Sequence, residues 1–61
     1  MKAKEKIMKA LTDEWESTRG IARKTGINWY VAYAILTELA SNKQIERKKI
    51  NQITYWRKKQ K

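Results

Sequence analysis

Ile21-Ala22-Arg23-Lys24-Thr25-Gly26-Ile27-Asn28 is the stretch of this 61-residue chain that decides its fold. Ala22 is small where two helices must cross closely, and Gly26 supplies the positive φ that ends one helix. Asn28 then caps the next one. Upstream, Thr18 is placed to cap a short helix, Arg19 to Lys24, whose buried side is Ile21 and Ala22; Gly20 in its first turn costs about 1 kcal/mol relative to Ala. Downstream, a helix from Trp29 to about Asn42 sets Ala32, Ile35, Leu36 and Leu39 on one face. Ile21, Ile27, Ala32 and Ile35 fill the angle between the two helices.

Further outward, Lys2 to Leu11 carries Ala3, Ile7, Ala10 and Leu11 at helical spacing against a lysine-rich face, which predicts a first amphipathic helix. Asp13 to Ser17 breaks that period and reads as a short extended segment whose one large apolar residue, Trp15, is expected in the core. Beyond Asn42 the period falls to 2. Gln44 to Lys49 and Ile53 to Lys58 alternate around Asn51-Gln52 and predict a β-hairpin. Asn-Gln is a weaker turn signal than Asn-Gly, so a longer loop starting at Lys49 is the alternative. Either even-length loop leaves Ile45 and Arg47 on the face of Thr54 and Trp56, with Ile45 and Trp56 inward.

Composition limits the chemistry. The chain has neither Cys nor His, so it has no disulfide framework, no thiol nucleophile, and neither the commonest metal ligand nor the commonest general base. Asp13, Glu14 and Glu16 have no second acidic cluster to work with, and neither enzymatic activity nor a metal or other cofactor is expected. So short a chain hides only about 60% of its unfolded surface, too little to enclose a deep active site, and no small-molecule ligand is expected. The lysine-rich start lacks an apolar signal segment and no apolar run approaches bilayer length. A soluble cytoplasmic protein is expected, nucleoid-associated if bound to DNA, without a membrane partner.

The charge is polarised. Of a net +9, +7 lies after Asn42, where eight Lys and Arg face one Glu. A polyanion, nucleic acid above all, is the implied partner.

The whole element order, helix, short strand, helix, Gly turn, helix, basic hairpin, resembles the winged helix-turn-helix superfamily in its compact bacterial and archaeal form. The resemblance is carried by Ile21 to Asn28, then Ile35-Leu36 and Leu39, then Ile45-Glu46-Arg47-Lys48 and Thr54-Tyr55-Trp56-Arg57. It implies a single α+β domain over residues 1–61, with three helices, a short strand after the first, a two-stranded wing, and a basic tail from about residue 57. It also implies a small transcriptional regulator that binds double-stranded DNA, with the third helix in the major groove and wing 44–58 on the backbone or minor groove.

On that implication Asn28, Trp29, Tyr30, Tyr33 and Thr37 lie on the recognition surface. Thr18 and Arg19 face a phosphate, and Arg47, Lys48, Lys49, Asn51 and Gln52 belong to the wing. The chain departs from the superfamily in presenting aromatics there, with no basic residue between Asn28 and Thr37. Bidentate Arg readout of guanine is therefore missing from the helix centre, leaving Asn28 for an adenine edge, tyrosine hydroxyls for phosphates or bases, and ring faces for thymine methyls. A homodimer is a further possible partner. The competing readings are a protein-interaction adaptor using the aromatic face and a sequence-independent nucleic-acid packaging protein.

Overall fold

The computed structural model describes residues 2–59. Three helices, α1 (Ala3–Ala10), α2 (Thr18–Thr25) and α3 (Trp29–Ser41), pack against a three-stranded antiparallel sheet of β1 (Glu16–Ser17), β2 (Ile45–Ile50) and β3 (Ile53–Lys58). The sheet order is β1-β3-β2, so the last strand in sequence is central.

The helix-turn-helix forms as its residues dictate. Gly26 sits at φ 72°, its N–H and that of Ile27 both donating to Ala22 O, and Asn28 Oδ1 accepts from Tyr30 N at 2.8 Å to start α3. One detail differs: Ser17 is the cap of α2, accepting from Gly20 N at 3.0 Å, and Thr18 is the first helical residue. Both hydroxyls are able to cap, and the choice is made elsewhere. Thr18 is turned inward because its Oγ1 accepts from the buried indole Nε1 of Trp56 at 2.7 Å.

Lys43 ends α3 in the left-handed region at φ 62°. Its N–H donates to Ala40 O and that of Gln44 to Leu39 O, the doubly bonded helix terminus in which Gly is the usual occupant. Nothing in the composition of Ser41-Asn42-Lys43 announces it.

The hairpin closes through the two-residue turn, with Asn51 at φ 50° and Gln52 at φ 67°. Both central residues thus take the positive φ of a type I′ turn despite the missing Gly. Arg47 pairs with Trp56 and Lys49 with Thr54, so the expected face assignment holds, and Ile45 and Trp56 are buried. Arg57 and Lys58 are part of β3, opposite Glu46 and Ile45, and do not begin a tail; Gln60 and Lys61 lie outside the described residues.

The core is built from Ile7 of α1 and Leu11 just after it, Ile21 and Ala22 of α2, Ala32, Leu36 and Leu39 of α3, and Ile45 and Trp56 of the sheet. Ile35, expected among them, is half-buried against their edge. Trp15 is not in the core. Glu16 pairs with Trp56, so alternation turns Trp15 to the opposite, outer face, where Lys48 Nζ and Arg57 Cζ each lie 4.4 Å from its ring centroid. Glu16 takes the helix side instead and holds Lys24 Nζ at 2.8 Å; the same ammonium donates to Ala10 O at the end of α1. One lysine thereby ties α1, β1 and α2 together.

Candidate nucleic-acid interface

The N-terminal half of α3 carries a ring cluster on its solvent side. Trp29 and Tyr33, one turn apart, stack with centroids 5.2 Å apart and planes within 3°, and Tyr30 meets Trp29 edge-on at 5.2 Å. Tyr33 continues inward to an edge contact with Trp56 at 6.0 Å. The cluster is thus anchored to the core at one end and open at the other, where Trp29 is 43% and Tyr30 77% exposed.

Two open clefts flank this helix. The first, about 530 Å³, lies between the first turn of α2, the start of α3 and the wing, bordered by Arg19, Trp29, Tyr33, Lys49, Gln52 and Thr54. The second, about 480 Å³, runs between the C-terminal half of α3 and β2, bordered by Thr37, Ser41, Arg47 and Lys49. Lys49 borders both. Shallow clefts edged by cations and ring faces suit an extended anion with flat, partly apolar units.

Most of the expected residues converge on this surface. Arg19, Trp29, Tyr33, Lys49 and Gln52 meet around the first cleft, and Thr37 and Arg47 at the second. Asn28 and Tyr30 are exposed at the head of α3, and Asn51 at the wing tip. Thr18 also borders the first cleft, but it is 4% exposed and its hydroxyl is committed to Trp56, so what it offers there is the backbone of the first turn of α2 and not its side chain. Lys48 also borders the second cleft, but its ammonium lies over the Trp15 ring on the outer face.

Charge balance also differs among the cations. Among the described residues the ion pairs are Lys24 with Glu16 and Arg57 with Glu46, which leaves Arg19, Arg47 and Lys49 without a carboxylate partner. The sequence reading missed Ile50 and Ile53, a cross-strand pair flanking the turn that stays 47% and 48% exposed. Their signal was the parity of the hairpin itself, which puts both on the face away from the core. Among the described residues no group of three or more Asp, Glu, His or Cys side chains is placed to hold a metal, and no helix is long and apolar enough to cross a membrane.

No protein-family model and no curated protein matches the chain. Among solved structures, NolR from Sinorhizobium fredii superposes with a TM-score of 0.79 at 18% identity, covering 97% of this chain. The chain spans 60% of the length of the NolR chain it matches. The shared fold is the winged helix.

Proposed function

We propose that the protein binds double-stranded DNA as a small transcriptional regulator, with α3 in the major groove and the wing on the flanking backbone or minor groove. The observation that carries this reading is the convergence of Arg19, Arg47 and Lys49, none of them neutralised by a carboxylate, on the two clefts beside the exposed face of α3. The excess of eight Lys and Arg over one Glu after Asn42 supplies the surrounding field. NolR, a winged-helix transcription regulator, shares the fold and supports the same class.

The division of labour follows from the side chains. Lysines and arginines grip phosphates, which gives affinity without sequence information, and the helix face reads base edges. The same exposed rings also fit an adaptor surface for another protein.

Selection of bound duplexes from a random pool, followed by anisotropy titration at several salt concentrations, tests the reading. A regulator enriches a motif and shows a log-affinity against log-salt slope of roughly −5, equivalent to about six phosphate contacts. Salt-dependent binding without enrichment indicates a packaging protein. No DNA binding, with a protein partner lost on Tyr30→Ala, indicates the adaptor.

A further inference from the structure

The recognition surface is chemically lopsided, and that limits which base edges it is able to reward. From Asn28 to Thr37 it carries no charged side chain. Asn28 is half committed: its Oδ1 accepts the cap bond from Tyr30 N, an identity fixed because a backbone N–H only donates, so its free group is the amide NH₂. Between Asn28 and Thr37 the helix itself has no carboxylate to accept from cytosine N4 and no guanidinium to fork onto guanine. Apart from hydroxyl groups, what remains is apolar: Trp29, locked by its stack on Tyr33 and edge contact with Tyr30, and Tyr30 itself, the most exposed large hydrophobic side chain among the described residues.

The major groove offers one apolar group, the C5 methyl of thymine, beside the O4 acceptor. We infer that this surface selects DNA through thymine methyls, packed on the Trp29 and Tyr30 rings, with the Asn28 amide donating to a neighbouring acceptor. Arg19 and Lys49, at the edge of the same cleft, hold the strand so that its bases meet the rings. Pre-stacking keeps the ordering cost low, because Trp29 and Tyr33 are already immobilised against the core through Trp56. This inference rests on the DNA-binding reading above.

Deoxyuridine differs from thymidine by the methyl alone, which gives a direct test. Duplexes selected from a random pool are remade with deoxyuridine at every thymine and titrated against the wild-type protein and Tyr30→Ala. The wild type is expected to lose about fourfold in affinity per contacted methyl, the worth of one buried methyl group. Tyr30→Ala, at an exposed position that leaves the core intact, is expected to bind the thymine duplex more weakly and to lose most of its discrimination against deoxyuridine; Trp29→Ala gives a second variant with the same expectation.

Equal affinity of the wild type for both duplexes overturns the methyl reading while DNA binding stands. So does a selected motif without thymines, or no motif at all, or an undiminished deoxyuridine penalty in both variants. Absence of binding to any duplex overturns the DNA-binding reading itself.

Discussion

The Trp56 indole N–H donates to Thr18 Oγ1 at 2.7 Å, joining the central strand to the first turn of α2 across 38 residues of sequence. Both groups are buried, so the bond has no water to replace it. It fixes where α2 begins relative to the sheet, and with it the placement of the helix-turn-helix against the wing.

Replacing Thr18 by Val, nearly isosteric, leaves the indole N–H unpaired in the core. The expected loss is about 1–3 kcal/mol, the cost of an unsatisfied buried donor. Thr18→Ser keeps the acceptor and is expected to lose less than Val does. Urea unfolding followed by circular dichroism measures both, and equal losses for the two variants contradict the role given to this bond.

Trp56 and Trp15, on opposite faces of the sheet, should rank far apart. Trp56→Ala empties the centre of the core at about 3–5 kcal/mol. A 61-residue domain has roughly 3–9 kcal/mol in total, so this variant is expected at or near the unfolding threshold. Trp15→Ala removes a half-buried ring and its Lys48 and Arg57 contacts, about 1–2 kcal/mol, and should fold. Thermal melts of the two distinguish them.

Lys43→Gly is expected to stabilise the protein by about 0.5–1 kcal/mol. Removing the side chain relieves the 1–2 kcal/mol that a left-handed conformation costs an L-residue, less the extra freedom Gly gains when unfolded. The melting temperature should rise by several degrees. Lys43→Ala, which removes the charge but keeps Cβ, should not reproduce the gain.

Cations of the wing should differ in their contribution to DNA binding. Lys49→Ala is expected to flatten the salt slope by about 0.9, one phosphate contact's worth. Arg57→Ala should leave the slope nearly unchanged, because Glu46 already neutralises Arg57 and the side chain lies on the outer face beside Trp15. Salt titrations of the two variants against one duplex make the comparison.

The helix-turn-helix was readable because Ala22, Gly26 and Asn28 each have a local reason for their position, and local reasons survive folding. The hairpin faces were readable because any even-length loop preserves parity. Trp15 was misplaced on hydrophobicity alone: a two-residue strand carries no periodicity of its own, and only its pairing of Glu16 with Trp56 fixes the face. Ser17 and Thr18 are likewise locally equivalent as caps, and a contact 38 residues away separates them. Among the site residues, Trp29, Tyr30 and Tyr33 were legible as an outward cluster from helical spacing. That their rings are stacked and tied to the core was not, because it depends on Trp56 lying beneath them.

With β3 in the middle of the sheet, β2 presents an unpaired edge, Ile-Glu-Arg-Lys-Lys-Ile, that would otherwise template addition of a further strand. Four consecutive charged residues, Glu46 to Lys49, fill that edge. The lysines assigned to phosphate contact therefore also act as gatekeepers against self-association. Neutralising them is expected to lower solubility along with affinity, so a variant stripped of its wing charges should be checked for aggregation before its weakened DNA binding is attributed to lost contacts.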